Sequence, residues 1–181
     1  MIPDLILGDT KSHIIDLAEQ MGIGDEWVRG DPMSVNLDAI VSPANTIGEM
    51  SGGYDLQIRT YFEKYQKIPL QQIVQKSIAD KPMVVGQARA IKVGGTIPWV
   101  IIVPTVIGKN DSFGKMQTKT PSLDIVHKGT YNFMKAAQQA GIKRVGSVLL
   151  GAGVGGGDPR KCLEAMGEGY FDFLDEVQGN I

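Results

Sequence analysis

The sequence predicts an α/β domain: a three-layer sandwich with helices on both faces of a mixed, mostly parallel sheet of about six strands. Three observations predict it. Short apolar or β-branched runs alternate with stretches of helical periodicity, the pattern of a sheet wrapped by helices. The run Trp99-Val100-Ile101-Ile102-Val103 has no polar interruption, as expected of a strand covered on both faces. Segment 84–103 is hairpin-like, with a turn at Gly94-Gly95, so some pairing must be antiparallel.

The elements follow in order along the chain. Asp4 to Leu7 reads as a strand. Lys11 to Met21 carries Ile14, Ile15, Leu17, Ala18 and Met21 at helical spacing, and Gly22 ends it. Glu26 to Arg29 reads as a brief edge strand, and Ala39 to Ser42 as a buried strand that Pro43 stops. Gly53 to about Tyr65, and Leu70 to Ala79, have helical spacing. Val84-Val85 and Ala88 to Val93 are strand material, followed by the strand at Trp99 to Val103. Gly108 to Thr120 is polar and loop-like. Thr120-Pro121-Ser122 opens a helix, with proline in its first turn. Val126, Thr130, Phe133 and Ala137 line one face of that helix, and Gly141 closes it. Arg144 to Leu150 reads as the next strand. Asp158 caps the last helix with Pro159 as its first residue, and Cys162, Met166, Tyr170, Phe173 and Val177 form its buried stripe.

Composition bounds the function. The chain has 181 residues, suited to a single domain over 1–181, with 43% hydrophobic and 21% charged residues. One cysteine, Cys162, excludes an internal disulfide and any zinc site with two thiolates. The two histidines, His13 and His127, lie far apart, so neither a multi-histidine metal site nor a histidine-based triad is expected. No metal or cofactor is called for. The net charge of −2 and the lack of a basic run argue against a duplex nucleic acid partner. No apolar stretch approaches the ~20 residues that span a bilayer. The N-terminal run has no basic region ahead of it and reads as a buried strand. A soluble, cytoplasmic protein is expected, in the host's cytoplasm if the chain is phage-encoded. Its oligomeric state is not legible. Trp27, Trp99 and Cys162 are expected in the core, and His127 on the surface.

The 23 glycines are concentrated rather than dispersed. The densest cluster is Gly151-Ala152-Gly153-Val154-Gly155-Gly156-Gly157, between a strand and a capped helix. Glycines permit positive φ and close approach of a ligand to the backbone. The free N–H groups and positive dipole end of the following helix favour an anion, and phosphate is the natural guest. The run matches G-x-G-x-x-G, but a dinucleotide-binding fold needs a further strand with an acid about 20 residues on. The chain offers only Gln178 to Ile181 beyond the last helix. No Lys-Ser/Thr follows, which also removes a P-loop.

The second constellation is Asp38-Ala39-Ile40-Val41-Ser42-Pro43-Ala44-Asn45, a short loop, then Gly52-Gly53-Tyr54-Asp55. It is again strand, glycine-rich loop and helix start. Two such loops suit a pyrophosphate gripped from both sides.

These motifs resemble those of the macro domain family, which binds ADP-ribose. The family's D-A-I-V-N-A-A-N and G-G-x-D are matched at Asp38–Val41, Ala44-Asn45 and Gly52–Asp55. Ser42-Pro43 replaces the commoner Asn-Ala and is similar to a small bacterial and phage-type subgroup carrying S-P-A-N. Gly151 to Pro159 resembles the second phosphate loop, and Gly30-Asp31 the G-D that precedes the first motif. The resemblance implies ADP-ribose, or an ADP-ribosylated molecule, as the partner. Asp31 would accept a hydrogen bond from the adenine amino group; otherwise it is a turn aspartate ahead of Pro32. Asn45 would meet the distal ribose; otherwise its amide holds its own loop. Gly52, Gly53, Gly151, Gly153, Val154, Gly155 and Gly156 would line the pyrophosphate. Asp55 would orient or activate water in a hydrolase; otherwise it complements the helix dipole. Pro32, the bare Gly155 to Gly157, and Pro104-Thr105 in place of a histidine depart from the family's pattern. They weigh against a hydrolase more than against a binding module. Three readings stay open: a reader of ADP-ribose; an ADP-ribosyl hydrolase or O-acyl-ADP-ribose deacylase acting at the distal ribose, with Asn45 orienting the ribose and Asp55 the water; or an α/β scaffold whose loops are vestigial.

Overall fold

The computed structural model describes residues 1–108, 120–153 and 156–179. Its strands are β1 (Asp4–Asp9), β2 (Glu26–Arg29), β3 (Ala39–Asn45), β4 (Arg89–Lys92), β5 (Trp99–Val106) and β6 (Arg144–Ser147). Its helices are α1 (Ser12–Met21), α2 (Gly53–Thr60), α3 (Leu70–Asp80), α4 (Leu123–Gln139) and α5 (Pro159–Gly179). The strands form one sheet in the order β2-β1-β6-β3-β5-β4. Each neighbouring pair is parallel except β4 with β5, the antiparallel hairpin at one edge.

Side-chain alternation along the strands sorts the core into two layers. Leu5, Leu7, Val41, Ile101 and Val103 face α1, α4 and α5, meeting Ile14, Val126, Phe133, Met166 and Phe173. Ile6, Ile40, Val100 and Ile102 face the other way, against Ile58, Phe62, Leu70, Val74 and Ile78 of α2, α3 and the turn between them. The helical stripes at Val126, Thr130, Phe133 and Ala137, and at Cys162, Met166, Tyr170 and Phe173, are buried as expected; Val177 is partly buried. Trp27 and Trp99 are likewise partly buried against the first layer.

Local chemistry corrects several boundaries. Pro43 does not stop β3, which continues through it to Asn45. The pairing of β3 with β6 ends at Ile40, so at Pro43 one edge of the strand has no ladder to interrupt. Val84-Val85 belongs to a turn, not a strand, with Gly86 N–H donating to Pro104 O at 2.8 Å. β6 ends at Ser147; Leu149 and Leu150 are buried beyond it without strand pairing. Pro121 lies ahead of α4, whose cap is Ser122, its hydroxyl accepting from Ile125 N–H at 3.2 Å. α2 ends at Thr60 and continues as one π-helical turn, Tyr61–Tyr65. His127 lies at the surface as expected, its side chain 30% exposed, but it is paired there. It lies 2.6 Å from Asp172 and 3.3 Å from Glu168, tying α4 to α5.

α4 and α5 approach closely at Gly169. A Cβ there would stand 2.2 Å from His127 O and 3.0 Å from Tyr131 N, both backbone atoms. Gly169→Ala is therefore expected to destabilise the domain. Overpacking costs roughly 1–3 kcal/mol or more, exceeding the ~1 kcal/mol that replacing a helical glycine contributes. A urea midpoint at or above wild type would refute this.

Candidate binding site

Strands β1, β2, β3, β5 and β6 run parallel, so their carboxyl ends share one edge of the sheet. The connections leaving that edge decide where a ligand fits. β6 and β3 are neighbours. The chain leaving β3 enters α2, which packs in the second layer, while the chain leaving β6 enters α5, which packs in the first. Adjacent parallel strands whose following helices go to opposite faces open a crevice between them. Both glycine-rich segments lie at this crevice.

The β3 loop is built around Asn45, only 7% exposed. Its Oδ1 accepts from Ile47 N–H at 3.2 Å and Glu49 N–H at 3.1 Å, and its Nδ2 donates to Glu49 O at 2.9 Å. The amide thus folds its own loop. Gln71 of α3 holds the same loop from behind, accepting from Met50 N–H at 2.7 Å and donating to Gly48 O. Gly52 is extended at φ −155° and exposed, with nothing within 4 Å of where a Cβ would stand. Gly53, at φ +59°, turns the chain into α2.

The β6 loop turns on Gly151, Gly153 and Gly156, at φ +83°, +67° and +73°. Gly156 N–H donates to Gly153 O at 3.0 Å, and Gly157 N–H to Gly151 O at 2.9 Å. Gly153 is exposed and faces open space; Gly151 is buried, its absent Cβ 2.9 Å from Val126. Val154 and Gly155 lie outside the described residues. Asp158 caps α5, its Oδ1 accepting from Arg160 N–H at 2.9 Å. Cys162 packs beneath the loop, 1% exposed, and burial pushes its thiol pKa up, as suits a core residue.

Neither loop contains a lysine or arginine between Ser42 and Asp55 or between Gly151 and Pro159. Within these two loops, backbone N–H groups and two helix starts are the donors available to an anion.

Asp55 sits in the first turn of α2 but turns inward. It is 5% exposed and accepts from the Ser42 hydroxyl. Burial raises its pKa from 3.8 to about 7, opposed by the Ser42 hydrogen bond. Ser42, one of the two residues departing from the commoner motif, is thus the partner of this carboxyl.

Asp31 follows β2 at the same edge. It caps the short 3-10 turn Pro32–Ser34, its Oδ1 accepting from Met33 N–H at 2.8 Å. The Tyr54 hydroxyl, from the first turn of α2, donates to the same oxygen at 2.5 Å. Gly8 of β1 makes room for this loop: a Cβ there would lie 2.7 Å from Pro32 Cδ and 2.8 Å from Gly30 O. Asp38, at the opposite end of β3, accepts from Lys143 and Arg144 N–H and pins β6 beside β3.

Sequence reasoning missed Gly8, Tyr54 and Gln71. Gly8-Asp9 had a signal, since it ends β1 as Gly30-Asp31 follows β2. Tyr54 and Gln71 had none, because each acts on a segment more than 20 residues away. Exposed apolar groups also stand at this edge: Ile47 after β3, 37% exposed, and Ile107 after β5, 62% exposed.

A family model described as the Macro domain matches residues 41–166. That span contains both crevice loops but not Asp31. A protein of Aeropyrum pernix described only as an uncharacterized protein is 30% identical over 131 residues. The match covers 70% of this chain and 60% of that protein, so the chain spans about three fifths of its relative's length. The macrodomain of Mycobacterium tuberculosis DarG is similar in fold, with a TM-score of 0.62 at 19% identity, over 81% of this chain and 89% of that one. So is Thermosipho africanus DarTG in complex with ADP-ribose, with a TM-score of 0.64 at 14% identity, over 95% of this chain and 51% of that one.

Proposed function

The chain belongs to the macro domain family, and from that premise we propose that it binds ADP-ribose, or the ADP-ribosyl group of a modified molecule, in the crevice between the β3 and β6 loops. The observation that carries this reading is the divergence of two glycine-rich loops from neighbouring parallel strands. It offers backbone donors to a pyrophosphate from two sides. A relative of the same fold, Thermosipho africanus DarTG, has been solved in complex with ADP-ribose. In this reading Gly52 and Gly53 cradle one side of the pyrophosphate. Gly151, Gly153, Val154, Gly155 and Gly156 cradle the other. Asp31 receives the adenine amino group. Asn45 shapes the loop at the distal ribose and keeps one Nδ2 hydrogen for a ribose hydroxyl. Ile47 and Ile107 supply an apolar rim on the β3–β5 side.

Calorimetry with ADP-ribose, AMP and NAD tests the proposal. ADP-ribose is expected to bind at least about tenfold more tightly than AMP, a difference of about 1.4 kcal/mol for the second phosphate and ribose. No heat with ADP-ribose at millimolar concentration would remove it.

A second reading, a hydrolase that releases ADP-ribose or deacylates its distal ribose, is favoured by one observation. Asp55 follows Gly52-Gly53 and titrates near neutrality, where an acid–base group works best. Its burial against Ser42 requires the β3 loop to move before water or substrate reaches it. Release of ADP-ribose from aspartyl-, glutamyl-, arginyl- or acetyl-linked substrates is the assay that separates the readings.

A further inference from the structure

We propose that Tyr54 is a positioning residue that sets base specificity by pinning the Asp31 carboxylate, an inference that rests on the placement of adenine at Asp31. A free aspartate carboxylate turns broadly about its last torsion. Asp31 does not have that freedom. Two donors from different segments, Met33 N–H at 2.8 Å and Tyr54 Oη at 2.5 Å, converge on Oδ1. Oδ2 receives no donor among the described residues, and Asp31 is exposed. The carboxylate is therefore locked by one oxygen and offers the other.

An acceptor fixed in this way recognises a donor. The exocyclic amino group of adenine is one; the carbonyl of hypoxanthine or guanine at the same ring position is not. An acceptor already in place loses less freedom on binding than one that must be ordered. The phenol is suited to the task. Its ring packs against the second core layer, and burial together with the Asp31 carboxylate pushes its pKa up, so it stays a donor. Tyr54 also sits immediately after Gly52-Gly53. The backbone that would hold the pyrophosphate and the group that aims the base acceptor thus share one helical turn.

The test compares ADP-ribose with its hypoxanthine analogue by calorimetry in wild type, Tyr54→Phe, Asp31→Ala and the double variant. Thermal melts confirm folding. Phenylalanine keeps the packed ring, so a merely structural tyrosine leaves the ratio of the two affinities unchanged. Asp31→Ala is expected to reduce that ratio about 10- to 100-fold, the scale of a hydrogen bond to a charged group. Tyr54→Phe is expected to reduce it about 3- to 10-fold, the scale of one ordinary hydrogen bond. Adding Tyr54→Phe to Asp31→Ala should change nothing more. An unchanged ratio in Tyr54→Phe, equal losses for both ligands, or a further loss in the double variant each overturns the positioning role. If wild type binds neither ligand, the ADP-ribose reading itself fails. If wild type binds but Asp31→Ala leaves the ratio intact, adenine is not at Asp31, and the inference falls while the crevice stands.

Discussion

Gly153→Glu is expected to abolish ADP-ribose binding while leaving the domain folded. Gly153 is exposed, and a Cβ at its position would meet nothing within 4 Å. A longer side chain therefore enters open space at the crevice rather than the core. Its φ of +67° is a left-handed conformation, which costs a non-glycine residue about 1–2 kcal/mol, small against the ~5–15 kcal/mol stability of a typical domain. The effect on a bound pyrophosphate is larger. Two like charges ~4 Å apart at an effective dielectric of 20 repel by about 4 kcal/mol, roughly a 10³-fold loss of affinity. Gly153→Ala is the control. It bears the same backbone strain without the charge and should bind within a few fold of wild type. Calorimetry beside far-UV circular dichroism reads both. Normal binding by the glutamate variant would mean that the β6 loop does not hold the phosphates.

Asp55→Asn is expected to remove a loss of stability that wild type shows as the pH rises. In the folded protein Asp55 keeps its proton up to about pH 7, while the unfolded chain loses it near the ordinary value of 3.8. Between those values the folded state binds more protons. The stabilisation is therefore complete below about pH 4 and is lost as the pH rises through 7, by up to about 1.4 kcal/mol per unit. Asparagine carries no charge at any pH, and its Oδ1 can still accept from Ser42. The variant should match wild type near pH 4 and exceed it by a few kcal/mol at pH 8.5, an order-of-magnitude figure from the same linkage. Urea midpoints at the two pH values measure this. A variant no more stable than wild type at pH 8.5 would show that the carboxyl is not held neutral. The same variant separates the functional readings. For a hydrolase it should lower turnover by roughly 10²–10⁴ and remove the inflection near pH 7. For a reader, ADP-ribose affinity stays within a few fold.

The architecture was legible because it rests on periodicity. The apolar runs of β1, β3 and β5 and the stripes of α4 and α5 report burial directly, and burial on both faces sets the sheet between two helical layers. What periodicity reports is burial rather than pairing. Leu149 and Leu150 are as apolar as a strand, yet they are buried beyond β6 without strand pairing. Val84-Val85 is β-branched, yet the local bonds around Gly86 and Gln87 hold it as a turn. Pro43 reads as a stop because a proline interrupts a two-sided ladder, and the sequence does not disclose that β6 has already ended. At the crevice Gly53, Gly151, Gly153 and Gly156 were legible because positive φ favours glycine. Two polar commitments were legible as alternatives: Asn45 holding its own loop and Asp31 capping the turn at Pro32. The Ser42 partner of Asp55 and the Tyr54 partner of Asp31 were not, because only the folded chain selects them. Residue type named these candidates, but it did not disclose which of their atoms were already engaged.

The crevice opens between neighbouring strands of one sheet, and this gives it a fixed gauge. Adjacent strands lie about 4.8 Å apart, and the β3–β6 ladder holds that spacing as far as Ile40 and Gly146, at the root of the two jaws. That spacing comes from the backbone ladder rather than from any side chain in the loops. Changes in the loops alter what is gripped and how firmly, but not how far apart their roots stand. On the proposed reading, such a site can diversify its chemistry at the mouth while the sheet holds its root.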